Sequence, residues 1–331
     1  MTAQTALTAA ADSAPAALTL LESRLKAAAD SLRLEVLQVL GQSSFGVLEL
    51  GEILAVKQSG MSHHLKVLAQ SALVEKRREG NAIFYRRALP AVDDALHQAL
   101  LEQVDATVLR DEVAERLATV QGRRAEQSRD FFARHARDLA EQQELIADYP
   151  QYAELAAELL ARALPDGGAL AVEIGPGEGQ FLAELAPRFD QVVGYDSSDA
   201  MLQRAQAFVA ERALANVSLV LGEWPAAAPD TARADALVLN MVLHHLPAPG
   251  DSLKAAARRL TVGGVMLVTE LCRHDQHWAH ESCGDLWLGF EEAELLDWAR
   301  RAGLEQLESQ YLAQRNGFQV QVRTFVRTGE R

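Results

Sequence analysis

Apolar residues recur along this chain in two rhythms, and the change between them divides it. From residue 16 to 55 they return at helical intervals: Leu18, Leu20, Leu21 and Leu25, then Leu32, Leu34, Val36, Leu37 and Leu40, with Gly41 as a stop. A shorter piece, Val47 to Leu54, completes three predicted helices, and a fourth is predicted from about Gln58 to Leu73. Residues 74–87 form two β-prone runs around Glu79-Gly80-Asn81, the pattern of a hairpin. Pro90 opens a polar stretch, 91–128, with Ala, Leu and Val at heptad-like spacing. It predicts a helix that either bridges two domains or packs on a second copy. The second is favoured, because an exposed polar helix gains little from solvent alone.

From about Ser128 the rhythm changes. Helical segments Phe131–Ala147 and Tyr152–Leu164 lead into short apolar strands: Leu170–Ile174, Val192–Tyr195, Val217–Leu221, Ala236–Leu239 and Val265–Thr269. Helical stretches lie between most of them, which predicts an α/β domain with a parallel sheet. The end differs: Leu304–Leu312 and Phe318–Arg327 flank Arg315-Asn316-Gly317. Asn-Gly between β-prone runs predicts a terminal antiparallel hairpin.

Composition alters this picture in one place. The 331 residues suit about two domains, and the net charge of -14 taken whole argues against nucleic acid. Residues 1–90, however, carry ten Lys/Arg and eight Asp/Glu, net +2, against 22 and 38, net -16, in the remainder. Seven of those bases (Lys57, Lys66, Lys76, Arg77, Arg78, Arg86, Arg87) fall in 53–90 beside two acids. Charges beyond about 10 Å are screened, so the local sign is what a phosphate backbone meets. Two cysteines, Cys272 and Cys283, imply no disulfide framework and fit a reducing cytoplasm. Residues 1–15 lack a signal-peptide pattern and read as a disordered tail, and no apolar run is long enough to span a membrane.

The first chemical motif is Glu173-Ile-Gly175-Pro-Gly177-Glu-Gly179, closing the strand 170–174. The glycines allow a sharp turn and close approach to a ligand. A helix expected from Gln180 would present free N–H groups there. Asp196 ends the next strand, where a carboxylate can accept both ribose hydroxyls of a nucleoside. The spacing is not G-x-G-x-x-G, and Glu173 would repel a pyrophosphate, so NAD is not indicated.

These residues resemble the class I S-adenosylmethionine-dependent methyltransferases over about 128–331. The resemblance implies a Rossmann-like fold that binds S-adenosylmethionine or S-adenosylhomocysteine. It implies that Met201 and Ser197, in Asp196-Ser-Ser-Asp-Ala-Met201, lie near the adenine and ribose. Gly222-Glu223-Trp224 would edge the adenine, and Asn240-Met241 would lie beneath the sulfonium.

The second motif is Gln58-Ser59-Gly60-Met61-Ser62-His63-His64-Leu65-Lys66, continued by Ala72 to Tyr85. Leu65 and Leu68 face a core, whereas Gln58, Ser59, Ser62, His63, His64 and Lys66 supply groups that reach base edges and phosphates, one histidine of the pair being assigned to the core. Arg77, Arg78, Asn81 and Tyr85 belong to the hairpin. This segment resembles the recognition helix and wing of ArsR-type winged-helix repressors over about 16–100. The resemblance implies double-stranded operator DNA as partner and a homodimer reading two half-sites. That family's metal-sensing cysteines are missing from Val47-Leu48-Glu49-Leu50, and Asp93, Asp94 and His97 do not make a second site, so metal sensing is not carried over.

The expected organisation is therefore a tail, 1–15; an α+β winged helix-turn-helix, 16–105; a linker or dimer helix, 106–127; and the methyltransferase-like domain, 128–331. A third cluster, Cys272, His274, His277, His280 and Cys283, holds ligand-type residues at a spacing that matches no zinc motif. It reads as a polar cap over the pocket, as a metal site, or as the source of a general base (His274 or His277). Functionally the layout resembles ArsR-type regulators of the methionine cycle with fused methyltransferase domains, whose repression S-adenosylhomocysteine relieves. The alternative is an active methyltransferase on a small molecule. Strand four ends in Asn240-Met-Val-Leu, without the Asn-Pro-Pro-Tyr pattern of DNA adenine methylation, and no catalytic residue stands out. A vestigial pocket is the third reading, disfavoured by the intact turn.

Overall fold

The computed structural model describes residues 18–79, 82–135, 145–147 and 149–329. The expected tail 1–15 and Asn81 lie outside these residues. The chain divides into two compact units, Met1–Gly122 and Arg123–Arg331.

Unit 1 runs α1 (18–28), α2 (Ser31–Leu40), β1 (Phe45–Gly46), α3 (Val47–Ile53), α4 (Gln58–Gln70), β2 (Val74–Glu79), β3 (Ala82–Arg87) and α5 (Ala95–Ala106), and ends within α6 (Asp111–His135). Asp30 starts α2 as an N-cap, its carboxylate 2.9 Å from the Arg33 amide. The predicted hairpin pairs Val74 with Arg87 through Glu79 with Ala82, and β3 also takes β1 at its other edge. Helix α4 buries Met61, Leu65 and Leu68 and ends at Gln70, short of the predicted Leu73, because Ala72 turns left-handed (φ 53°). The stretch 91–128, read as one helix, is broken between Ala106 and Asp111. Its second part is not a free connector either. Val113, Leu117 and Val120 are buried with Leu37, Leu50 and Leu65 in the unit 1 core, which is why the polar sequence keeps that apolar spacing.

Unit 2 carries a seven-stranded sheet in the order β6-β5-β4-β7-β8-β10-β9. The strands are β4 (Gly168–Ile174), β5 (Phe189–Asp196), β6 (Val217–Leu221), β7 (Ala234–Asn240), β8 (Leu260–Leu271), β9 (Leu304–Ala313) and β10 (Gln319–Arg327). The first five are parallel; β10 is antiparallel to both β8 and β9, as the Asn-Gly hairpin predicts. Gly317 takes a φ of 92° at that turn, which glycine alone adopts cheaply. The helices are α7 (Tyr149–Ala163), α8 (Leu182–Leu185), α9 (Asp199–Glu211), α10 (Pro249–Ala257), α11 (Trp278–Ser282) and α12 (Glu292–Arg301). Leu159, Leu160, Val192, Val238, Leu267 and Val322 meet in one core beneath them. Strand order reverses at β4, which lies between β5 and β7, and a crevice opens at the carboxyl ends of such strands. Among the described residues no helix is long and apolar enough to cross a membrane.

Candidate functional site

A cavity of about 920 Å³, counting space open to solvent, lies at those strand ends. Its wall includes Gly175, Gly177, Asp196, Ser197, Met201, Gly222, Glu223, Trp224 and Met241, so most of the predicted nucleoside residues converge. The turn after β4 explains why. Gly175 has φ 65°, and a Cβ there would come 2.6 Å from Val242 Cγ2. Gly177 (φ 57°) faces open space, so a ligand can approach its backbone directly. Gly179 (φ 85°) packs against Ala205 of α9 rather than on the cavity. The helix expected from Gln180 is a single turn, Leu182–Leu185, and the amides of Gly179 and Leu182 already donate to Pro176 and Gly179.

Glu173 and Asn240 lie behind the wall rather than on it. Glu173 is 2% exposed and accepts one bond, from Asn240 Nδ2 at 3.4 Å; its Oε2 has no partner. Burial pushes its carboxyl up to about 8, against that bond. Asp196 accepts the Ser198 amide at 2.8 Å, and burial raises it to about 6 despite the amide bonds. Ser198 N-caps α9, which brings Met201 into the first turn against the cavity. Trp224 lies edge-on to Tyr195 with its Nε1 unpartnered.

A histidine pair not singled out from sequence lies at this end of the cavity, and His245 of the two lines it. Met241 takes a left-handed φ of 51°, unusual without glycine, and turns the chain from β7 into a 3-10 turn, Leu243–His245. His244 is buried, with Nδ1 2.6 Å from Glu270 and Nε2 3.8 Å from Asp285. Burial opposes its charge, but the Glu270 and Asp285 carboxylates raise it to about 9. His245 lines the cavity, its Nδ1 donating to the Gly284 carbonyl (3.3 Å) and its Nε2 unpartnered. Burial, then charged His244 beside it, hold His245 well below the ordinary value. Candidate ligand atoms of His244, His245 and Asp285 lie within 4.8 Å of one another. The Gly284 carbonyl, however, requires a proton on His245 Nδ1, which favours hydrogen bonding over metal ligation. The signal available in sequence was position: His244-His245 follows the fourth strand, at the crevice end.

The Cys272–Cys283 cluster does not converge on a cation among the described residues. Burial pushes its thiols up to about 11 and about 12, away from the thiolate a metal needs. His280 Nδ1 bonds to the Asp285 carbonyl, and His274 stacks edge-on against Phe318, so both are held as structural groups and neither His274 nor His277 lines the cavity.

On unit 1, Gln58, Ser59, Ser62, His63 and Lys66 are exposed along one side of α4. His64 is half-buried, 3.8 Å from Asp30, so it is the inward member of the pair. Arg78 is exposed and Tyr85 half-buried. Arg77 corrects the expectation: it is 2% exposed and ion-paired with buried Glu79, because its side of β2 faces inward.

Comparison with known proteins follows this division. Residues 18–79 and 82–87 carry the N-terminal geometry, and the chain is 34% identical over 76 residues to the arsenical resistance operon repressor of Staphylococcus aureus, covering 23% of this chain and 73% of that protein. It is 36% identical over 115 residues to trans-aconitate 2-methyltransferase of Methylobacterium radiotolerans, covering 34% of this chain and 42% of the relative, so less than half of that enzyme is spanned. In structure, 63% of the chain superposes on 91% of the Burkholderia thailandensis 1,6-didemethyltoxoflavin-N1-methyltransferase, solved with S-adenosylhomocysteine, at a TM-score of 0.52 and 22% identity, a likeness of fold. The methyltransferase-domain family matches residues 148–321, which take in the five parallel strands and the start of the last antiparallel one, and the chain belongs to that family.

Proposed function

We propose that this protein is a homodimeric, cytoplasmic DNA-binding repressor with S-adenosylhomocysteine or S-adenosylmethionine as its effector. The carrying observation is that one chain holds both an exposed polar face on α4 and, on unit 2, a cavity lined by most of the predicted nucleoside residues. The cavity fits the nucleoside at three points: Asp196 for the ribose hydroxyls, the open approach at Gly177, and the unpartnered Trp224 Nε1 for a ring acceptor. Exposed Leu18, Leu21 and Leu25 form a stripe on α1 (66%, 41% and 53% exposed), which supports burial against a second copy. The similarity to an arsenical resistance operon repressor supports the DNA-binding reading. Control of methionine-cycle genes, with repression relieved by S-adenosylhomocysteine, is the specific form, and it rests on the resemblance in layout alone.

The test is DNA binding to the protein's own upstream region by fluorescence anisotropy, at fixed salt, with no nucleoside and with each of the two. A shift of about tenfold with one of them, roughly 1.4 kcal/mol of coupling, identifies the effector. No shift with either overturns the sensor. A second reading, methyl transfer to a small molecule, is favoured by one observation: a neutral histidine nitrogen on the cavity wall.

A further inference from the structure

The cavity wall has a chemical bias that the nucleoside does not use. Among its described lining residues there is no lysine or arginine, while Asp196 and Glu223 are both present. Glu223 has Arg129 3.6 Å away, outside the lining, whereas Asp196 has no such cation among the lining residues, so a carboxylate acceptor placed beside Asp196 would meet like charge. Around His245 the wall is mostly apolar: Phe132 lies edge-on to its ring at 4.9 Å, Met241, Val242 and Leu246 line the same cavity, and the Ser128 hydroxyl donates to the His245 carbonyl (3.4 Å). His245 is 7% exposed, and its Nε2 is a buried acceptor that no described group satisfies. A buried polar atom of this kind costs free energy until a donor reaches it.

The orientation of His245 is fixed from several sides. The Gly284 carbonyl takes the Nδ1 proton, which leaves Nε2 with a lone pair. The segment behind it is clamped, since the amides of Leu286 and Trp287 donate to the His244 carbonyl and Trp287 Nε1 donates to the Leu246 carbonyl (2.8 Å). His244 itself is anchored by Glu270, which accepts both its ring Nδ1 and its backbone amide. The charged groups facing this pair are Glu270 on β8, Asp285 on the loop after α11, and Arg124 on α6, whose guanidinium lies over Trp287 and donates to the Pro247 carbonyl. Charged His244 keeps its neighbour neutral, and the two buried carboxylates offset the positive charge that a second proton would bring.

We infer that His245 Nε2 is the general base of an acceptor subsite that takes a neutral, flat, largely apolar molecule bearing a phenol-like O–H. This inference deepens the methyl-transfer reading and rests on the cavity holding the nucleoside. The balance is simple. The acceptor oxygen gains the methyl group of S-adenosylmethionine, the C–S bond pair stays on sulfur, and the hydroxyl proton passes to Nε2. The neutral imidazole of His245 orients the hydroxyl in the ground state, and Phe132 offers a flat face for the ring.

The experiment uses 4-nitrophenol, whose ionised form is yellow, with the full-length protein loaded with S-adenosylhomocysteine. Wild type is expected to bind it through the neutral hydroxyl, so that colour bleaches on binding at a fixed pH near the probe's own pKa. His245→Phe, which keeps the ring's bulk without an acceptor, should weaken binding at least tenfold, and His245→Gln, which restores an acceptor oxygen, should recover part of it. Methyl transfer to the same probe should lose its acid-side pH dependence in His245→Gln. Equal binding by His245→Phe, deepening of the colour on binding, or no binding to the loaded wild type overturns the inference. Calorimetry with S-adenosylhomocysteine alone, on each variant, separates the two failures. If wild type does not take up the nucleoside, the pocket reading fails with this one; if it does and 4-nitrophenol is indifferent to position 245, only the acceptor subsite fails.

Discussion

At the scale of single residues, burial sets the chemistry of the cavity. Asp196 is pushed up to about 6, so it is mostly ionised at pH 7 and mostly protonated at pH 5. An ionised carboxylate is the better acceptor for two ribose hydroxyls. Nucleoside affinity should therefore rise from pH 5 to 7, by about tenfold if ionisation is required; calorimetry at both values checks it, and Asp196→Asn should flatten the profile. Asp196→Ala should abolish nucleoside binding while operator binding persists. Glu173 predicts the opposite kind of effect, on stability. Its folded value, about 8, lies above its ordinary 4.5, so the folded state binds the extra proton. The resulting penalty is nil below pH 4.5, grows as pH rises and is complete above 8. Glu173→Gln should thus raise the melting temperature at pH 8.5 and leave it unchanged at pH 4.5, as thermal scans at the two values would show. The turn's glycines and Asp196 were legible from residue type and spacing, because glycine and acid positions at strand ends carry their meaning locally. His245 was not: its role depends on a left-handed Met241 and on Gly284 and Asp285, about forty residues further along the chain, and no local pattern announces either.

At the scale of elements, strand hairpins and apolar spacing were read closely, and misreadings came where a segment's partner lay elsewhere in the chain. The hairpins 74–87 and 304–327 follow from turn residues within them. The stretch 91–128 was read as one helix, favoured as a dimer helix; it is broken between Ala106 and Asp111, and the burial of Val113, Leu117 and Val120 depends on contacts with α2, α3 and α4 residues of the same core. Arg77 illustrates the same point on one strand. Alternation along β2 places Lys76 and Arg78 outward and Arg77 inward with Glu79, whereas charge alone groups all three together. The two arginines should then part company on mutation. Arg78→Ala, or Lys66→Ala on α4, should weaken DNA binding evenly across sequences and reduce the salt slope by about one. Arg77→Ala should instead remove the buried Arg77–Glu79 ion pair and lower stability, by about 3 kcal/mol for a pair of this kind. Urea unfolding of unit 1, set beside anisotropy across a salt series, distinguishes them. A reduced slope for Arg77→Ala at unchanged stability would return that side chain to the DNA face.

At the scale of the whole molecule, the proposed regulator makes a demand that neither unit makes alone. If S-adenosylhomocysteine changes operator affinity by some factor, operator must change S-adenosylhomocysteine affinity by the same factor, since both paths close one thermodynamic cycle. A ligand that binds both states equally shifts nothing, however tightly it is held. The acidic remainder, net -16, offers a competing explanation for any apparent coupling, because nucleoside binding that altered its charge would change DNA affinity through long-range repulsion. Salt tells the two apart. Repulsion across solvent falls as the Debye length shortens from about 10 Å at 0.1 M salt to a few ångströms near 1 M, whereas a conformational coupling keeps its ratio even as both affinities decline. The expected result is that S-adenosylhomocysteine Kd, measured by calorimetry with and without saturating operator, changes by the same factor as operator Kd measured with and without nucleoside, and that the factor holds between 50 and 200 mM salt, roughly the range over which DNA affinity itself falls steeply. A factor that shrinks toward one as salt rises would assign the effect to charge and remove the need for a switch. Asp196→Ala serves as the internal control, since a protein that cannot hold the nucleoside must show a factor of one at every salt.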